Sequence, residues 1–387
     1  MIHYPSLDMS QATRLVREGR LGEATDALQG LLRGVGPVRT APEQAGAAAR
    51  IVDVDPETGE VLQSRTPDGP AAGFGKGAFL EGLAARLGGR GRHGVPPGAA
   101  PMPDGARFVT RTYAGTSRSC GYKLYVPSTA VDTLSPLIVM LHGCTQSPDD
   151  FAAGTGMNGL AEEHGFLVAY PGQTTSANAN KCWNWFSTAD QRRDHGEPAL
   201  IAGITREVMA NHAVDPGRVY VAGLSAGGAA AAIMGAAYPE LYAAVGVHSG
   251  LPCGAARDIP TAFAAMRNGG PAPPFAQHGG RAMQPTIVFH ADKDSTVHPR
   301  NADHIIAQSG GGTGPQPSVT RGQVPGGRAY TRTTFADVNG RPMLEQWLVH
   351  GGGHAWSGGS AGGSYTDPLG PDASREMVRF FLERQLR

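Results

Sequence analysis

Val219-Tyr220-Val221-Ala222-Gly223-Leu224-Ser225-Ala226-Gly227-Gly228 decides how this chain is read. An apolar, β-branched run ends abruptly in Gly-x-Ser-x-Gly. A stretch of small residues, Ala229 to Ala237, follows and predicts a tightly packed helix. Strand, sharp turn and helix are the setting that a nucleophile elbow requires. Ser225 then sits on a strained turn with its hydroxyl exposed. Gly223 and Gly227 lack the Cβ that would clash with neighbouring backbone. The competing reading is a glycine-rich turn whose serine caps a helix. The strand before it and the helix after it favour the elbow.

The 387 residues allow one large domain plus an appendage. Only 40% of residues are apolar, but 56 glycines pack closely and a sizeable core is still possible. Net charge is zero, so nothing favours a nucleic-acid or acidic partner. No stretch approaches the roughly 18 consecutive apolar residues of a membrane span. Met1 to Asp8 shows neither a basic nor an apolar region of a signal peptide, so a cytoplasmic location is expected. The four cysteines match no zinc spacing, and neither a metal nor a cofactor is expected.

Residues 1–35 read as a helical hairpin. Ala24, Leu28, Leu31 and Leu32 share one helical face, with Gly19-Arg20 at the turn. The spacing faintly matches one tetratricopeptide helix pair, but a single copy builds no solenoid. Residues 36–104 are rich in Gly, Pro, Ala and Arg and read as a flexible linker. A short helix over 79–87 is expected within it. From 105 to 387 buried strands alternate with amphipathic helices. Leu137 to Leu141 and Phe166 to Tyr170 are wholly apolar, as buried parallel strands should be. Further strands are expected over 108–113, 122–126, 243–247, 286–289 and 344–349, with helices over 198–211 and 372–386. The pattern predicts an α/β fold with a doubly wound, mostly parallel sheet.

A serine hydroxyl is a weak nucleophile and needs an adjacent base, itself oriented by a third group. In α/β-hydrolases the chain order is Ser, then Asp or Glu, then His, on loops at the carboxyl ends of strands. After the strand over 286–289, Asp292 and Asp294 compete for the acid. Asp294 lies further into the loop, with Val297 able to anchor the turn, and is preferred. After the strand over 344–349 comes His350-Gly351-Gly352-Gly353-His354. The glycines let that loop fold back toward the elbow, which favours His354 over His350. The oxyanion hole needs two backbone N–H groups. Ala226 N–H is one, and Cys144 N–H, in the loop after Leu141, is the other. Losing one such donor costs about 2.7–4 kcal/mol in a related hydrolase, so this loop should be rigid. A Cys144–Cys182 bridge would make it so, and two free buried thiols are the alternative in a reducing compartment. Cys120 and Cys253 form a less supported second pair. Trp183, Trp185 and Trp356 are candidates for binding an apolar or aromatic ester, with core packing as the alternative.

Taken together, His142-Gly143-Cys144-x-Gln146, Tyr170-Pro171-x-Gln173, Cys182-Trp183-Asn184-Trp185-Phe186, Gly223-Leu224-Ser225-Ala226-Gly227 and Gly353-His354-x-Trp356 resemble the poly(3-hydroxybutyrate) depolymerase-type esterases. That group includes intracellular depolymerases and feruloyl or acetylxylan esterase relatives. The resemblance covers roughly 105–387, and Cys120-Gly121 departs from its pattern. It implies the α/β-hydrolase fold, a Ser225–Asp294–His354 triad, and an oxyanion loop marked by Cys144. It also implies hydrolysis of short-chain hydroxyalkanoate polyester or its oligomers without a cofactor. The alternatives are a feruloyl or acetylxylan carboxylesterase, a serine peptidase, and a binding protein of the same fold. The N-terminal hairpin on its linker suggests attachment to polymer granules.

Overall fold

The computed structural model describes residues 51–54, 61–65, 102–115, 118–129, 134–270, 285–311, 314–337 and 339–386. The helical hairpin expected over 1–35 and the helix over 79–87 lie outside the described residues. The chain falls into two units, Met1–Phe74 and Gly75–Arg387. In the first, β1 (Ile51–Val54) pairs antiparallel with β2 (Val61–Arg65), inside the segment read as linker.

The second unit holds a ten-stranded sheet. Its strands are β3 (Arg107–Ala114), β4 (Ser119–Val126), β5 (Ser135–Leu141), β6 (Leu167–Pro171), β7 (Val214–Leu224), β8 (Ala244–His248), β9 (Thr286–Ala291), β10 (Ser318–Gln323), β11 (Ala329–Ala336) and β12 (Pro342–Val349). Their spatial order is β10-β11-β12-β9-β8-β7-β5-β6-β4-β3. The six strands from β12 to β6 are parallel, and two antiparallel strands close each edge. The parallel strands are those read from their apolar runs. The β10–β11 extension carries no such run: Ser318–Gln323 is almost wholly exposed, and β11 is half-buried and rich in Thr and Arg.

Alternation along the strands sends side chains to two cores. Leu137, Val139 and Leu141 pack with α3 (Gly196–Asn211) and α4 (Ala226–Ala237). Ile138 and Met140 pack with Phe151 of α1 (Pro148–Thr155), Leu160 of α2 (Met157–His164) and Phe380 of α7 (Ala373–Leu382). On the first side lie also α5 (Ile259–Asn268) and α6 (Arg300–Gln308). Both faces of the parallel sheet are thus covered, which explains the apolar runs its strands carry. From β5 the chain moves to β6 on one side and to β7 on the other. That reversal opens a crevice at the strands' carboxyl ends, where ligands bind in such sheets. No described helix is long and apolar enough to cross a membrane.

Candidate active site

The loops after β5 and β7 meet at the reversal point. Ser225 ends β7 and opens α4 with φ 58° and ψ −118°, a conformation sparsely populated outside glycine. Such strain, of order 1–3 kcal/mol, persists only where the surroundings over-determine it. Here they do. A Cβ at Gly223 would overlap the Gly227 carbonyl, and one at Gly227 would overlap the Leu141 and His142 carbonyls. The Ser225 N–H donates to the His248 carbonyl of β8 at 2.9 Å.

Parallel pairing of β9 with β12 brings the two remaining loops together. His354 Nδ1 lies 2.7 Å from Asp294 Oδ2, and the Thr296 and Val297 N–H groups donate to Oδ1 at 2.9 Å each. Burial alone would raise the Asp294 carboxyl, but the charge of His354 and hydrogen bonds from His290 and His354 outweigh it. The group is held well below the usual carboxylate range. With Nδ1 turned to the carboxylate, Nε2 of the neutral ring is left as the acceptor. Ser225 and His354 line one pocket, together with Gly143, Cys144, Leu224 and Tyr365. Asp292 and His350 form a second pair, Oδ2 to Nδ1 at 3.1 Å, whose ring reaches Thr331 Oγ1 at 2.9 Å.

The loop after β5 is pinned from several sides. His142 is buried, which pushes its imidazole down to about 4. Gln173 N–H donates to Nε2 at 3.0 Å, so the ring proton sits on Nδ1 and is donated to the Gly143 carbonyl at 2.7 Å. Gln146 Oε1 accepts the Gly143 N–H at 2.9 Å. Among the described residues the Cys144 N–H and the Ala226 N–H are bonded to no acceptor of the chain. Ala226 owes this to its place in the first turn of α4.

Cys144 and Cys182 form a disulfide with Cα atoms 4.2 Å apart, across 38 residues of sequence. Closing a loop of that length removes about 4 kcal/mol of unfolded-chain entropy. Behind it Glu197 accepts from Gln173 Nε2, Asn184 N and Asn184 Nδ2 at 2.5–2.7 Å. Burial pushes the Glu197 carboxyl up to about 7, with Asp190 adding to the rise. Sequence reading missed Glu197, His290 and Tyr365. Gln146 and Gln173 stood in the quoted motifs without a role.

The three tryptophans are core residues, which corrects their reading as substrate contacts. Trp183 is buried, and its indole N–H donates to the His142 carbonyl at 3.1 Å. Trp185 is buried edge-on to Phe186. Trp356 donates to Ser374 Oγ at 3.0 Å and stacks on His248. An indole whose N–H finds an internal partner buries its large apolar area at little cost. Cys120 and Cys253 are buried and free, so the second pairing is also corrected. Among the described residues no group of three His, Cys, Asp or Glu side chains is placed to hold a metal ion.

Residues 120–312 match the family model described as esterase PHB depolymerase. Poly(3-hydroxyalkanoate) depolymerase C of Paucimonas lemoignei is 34% identical over 239 residues, 59% of this chain and 57% of that protein. Poly(3-hydroxybutyrate) depolymerase of Ralstonia pickettii is 28% identical over 321 residues, 76% of this chain and 64% of that protein. The chain therefore spans less than two thirds of the length of both relatives. An acetyl xylan esterase from Aspergillus awamori superposes with a TM-score of 0.57 at 21% identity, over 71% of this chain and 98% of that one. That likeness establishes the α/β-hydrolase fold. By its elbow, its motifs and these matches, the region over residues 120–312 is similar to the esterase PHB depolymerase family.

Proposed function

We propose that the chain is a serine carboxylesterase that hydrolyses short-chain hydroxyalkanoate polyester of the poly(3-hydroxybutyrate) type, or its oligomers, through an acyl-enzyme. One observation carries the reading: His354, 2.7 Å from Asp294, lines the same pocket as Ser225 on its strained elbow. In this reading Ser225 Oγ attacks the ester carbonyl carbon while His354 Nε2 takes its proton. Asp294 holds the ring tautomer and stabilises the imidazolium. The oxyanion accepts from the Cys144 and Ala226 N–H groups. As the tetrahedral species collapses, the carbon–oxygen bond to the alcohol breaks and His354 protonates that alcohol. Water, deprotonated by His354, then attacks the acyl-enzyme, and Ser225 leaves with the proton returned.

The substrate class is supported by the 34% and 28% identities to proteins named as depolymerases. Soluble product from amorphous poly(3-hydroxybutyrate), set beside ferulate and acetate release from esterified sugars, tests it. We expect 3-hydroxybutyrate release that vanishes in Ser225→Ala. Release of ferulate or acetate alone would transfer the reading to the carbohydrate esters. Cleavage of a peptide amide with no ester turnover would make the chain a peptidase.

Cytoplasmic location and granule attachment through residues 1–104 belong to the same proposal. The Cys144–Cys182 bridge pulls against the first, because cytosolic thiols are kept reduced. Alkylation of these thiols in intact cells, read by mass spectrometry, decides between reduced and oxidising compartments.

A further inference from the structure

The segment between His354 and α7 supplies a pocket wall that no motif announced. Tyr365 faces the same pocket as Ser225 and His354. Its φ is 53°, left-handed backbone that a tyrosine adopts where its surroundings impose it. Hydrogen bonds on either side of it impose that conformation. The Tyr365 carbonyl accepts the Trp356 N–H at 2.7 Å, two residues past the proposed base. Its neighbour Ser364 donates its N–H to Asp150 at 2.9 Å, and Gln146 Nε2 reaches the Ser364 carbonyl at 3.1 Å. At the far end of the ring the phenol oxygen lies 3.1 Å from Thr145 Oγ1. Thr145 follows Cys144 and is itself left-handed, at φ 67°. The phenol ring is thus tethered at its backbone beside the base and at its tip on the oxyanion loop. A ring held at both ends is a fixed wall of the pocket that Ser225 and His354 also line.

We propose that Tyr365 is a specificity-determining residue: its ring limits the length of the acyl group that can be presented to Ser225. The proposal rests on the serine esterase reading and narrows it to short acyl chains. Two left-handed residues, one of them lining the pocket, are joined by this hydrogen bond. A wall fixed in this way is what pre-organised selection against bulk requires.

The test compares kcat/KM for p-nitrophenyl butyrate and p-nitrophenyl octanoate, so that the alcohol stays constant. Tyr365→Gly removes the ring and accepts the left-handed backbone without strain. We expect the octanoate-to-butyrate ratio to rise about tenfold or more, the scale on which a pocket discriminates added methylenes. Tyr365→Asn, which also tolerates that backbone, should give the same rise and guards against a loss peculiar to glycine. Tyr365→Phe keeps the ring and should hold the wild-type ratio. An unchanged ratio in the glycine and asparagine variants, with Ser225 still labelled by a fluorophosphonate, overturns the proposal. So does a rise in Tyr365→Phe equal to that in Tyr365→Gly, which would assign the effect to the Thr145 tether. A wild-type chain that hydrolyses neither ester and takes no label strikes the esterase reading itself, a result distinct from both.

Discussion

Two Asp–His pairs stand side by side in this molecule, built from the same two loops. Asp292 and Asp294 both follow β9, and His350 and His354 both follow β12. The inner pair is closer, 2.7 Å against 3.1 Å. Its side chains are 0% and 9% exposed, where those of the outer pair are 32% and 39% exposed. The inner imidazole faces the pocket of Ser225, whereas the outer one faces Thr331. Identical side-chain chemistry, displaced by two residues on one loop and four on the other, is placed in two different solvents. In the dry position the hydrogen bond between ring and carboxylate is strong, and the Asp294 carboxylate has two backbone donors to hold it. In the wet position the pair is screened and serves to tie Gly351, whose N–H reaches Asp292 at 2.7 Å, to the loop below.

This contrast is most easily broken by substituting the two aspartates. Asp294→Asn should lower kcat on p-nitrophenyl butyrate by about 10⁴-fold with the fold retained, the loss seen when a triad loses its carboxylate. Asp292→Asn should leave kcat within about threefold of wild type, since exposed pairs contribute only about 0–1 kcal/mol. Equal losses in the two variants would erase the distinction drawn here.

Acid sharpens the contrast next. The pocket side holds buried neutral histidines: burial pushes His142 down to about 4 and His248 to about 3. The unfolded chain protonates such residues near pH 6.5, so their folded pKa values are depressed. Stability is then complete above about pH 6.5 and falls as pH drops toward 4 and 3. The melting temperature should decline through that window. In His142→Gln it should start lower at pH 7 and decline less steeply. An unchanged slope would mean that His142 is not held neutral.

The smallest effect belongs to the outer pair. Burial opposes ionisation of Asp292, but the Gly351 N–H and His350 outweigh it and hold the carboxyl below its ordinary range. Its stabilisation is therefore present above about pH 4 and lost below. The melting-temperature gap between wild type and Asp292→Asn should be a few degrees at most and should close in acid.

Much of the hydrolase region was legible because its signals are local. The elbow is a short-range steric problem that only Gly223 and Gly227 solve, and β5 and β7 announce themselves by unbroken apolar runs. The preference for Asp294 over Asp292 and for His354 over His350 follows from loop position; in the structure His354 lines the pocket of Ser225 and lies 2.7 Å from Asp294. Tertiary context decided the rest. An indole in a loop looks the same in sequence whether it faces a ligand or, as Trp183 does, a carbonyl in the core. Strands such as β10, almost wholly exposed, and β11, half-buried and rich in threonine, extend the sheet through ladder bonds, and no apolar run marks them. Tyr365 owes its place to a left-handed backbone and to contacts 220 residues away at Thr145, neither of which leaves a local trace.

Everything about the chemistry turns on whether Ser225 becomes covalently bonded during turnover. The direct measurement is reaction of the full-length protein with a fluorophosphonate, followed by peptide mass spectrometry. One adduct is expected, on the peptide carrying Ser225, whose formation tracks the loss of ester hydrolysis and which is absent in Ser225→Ala. Full hydrolysis with Ser225 unmodified, or an adduct on another residue that tracks the loss, would contradict it.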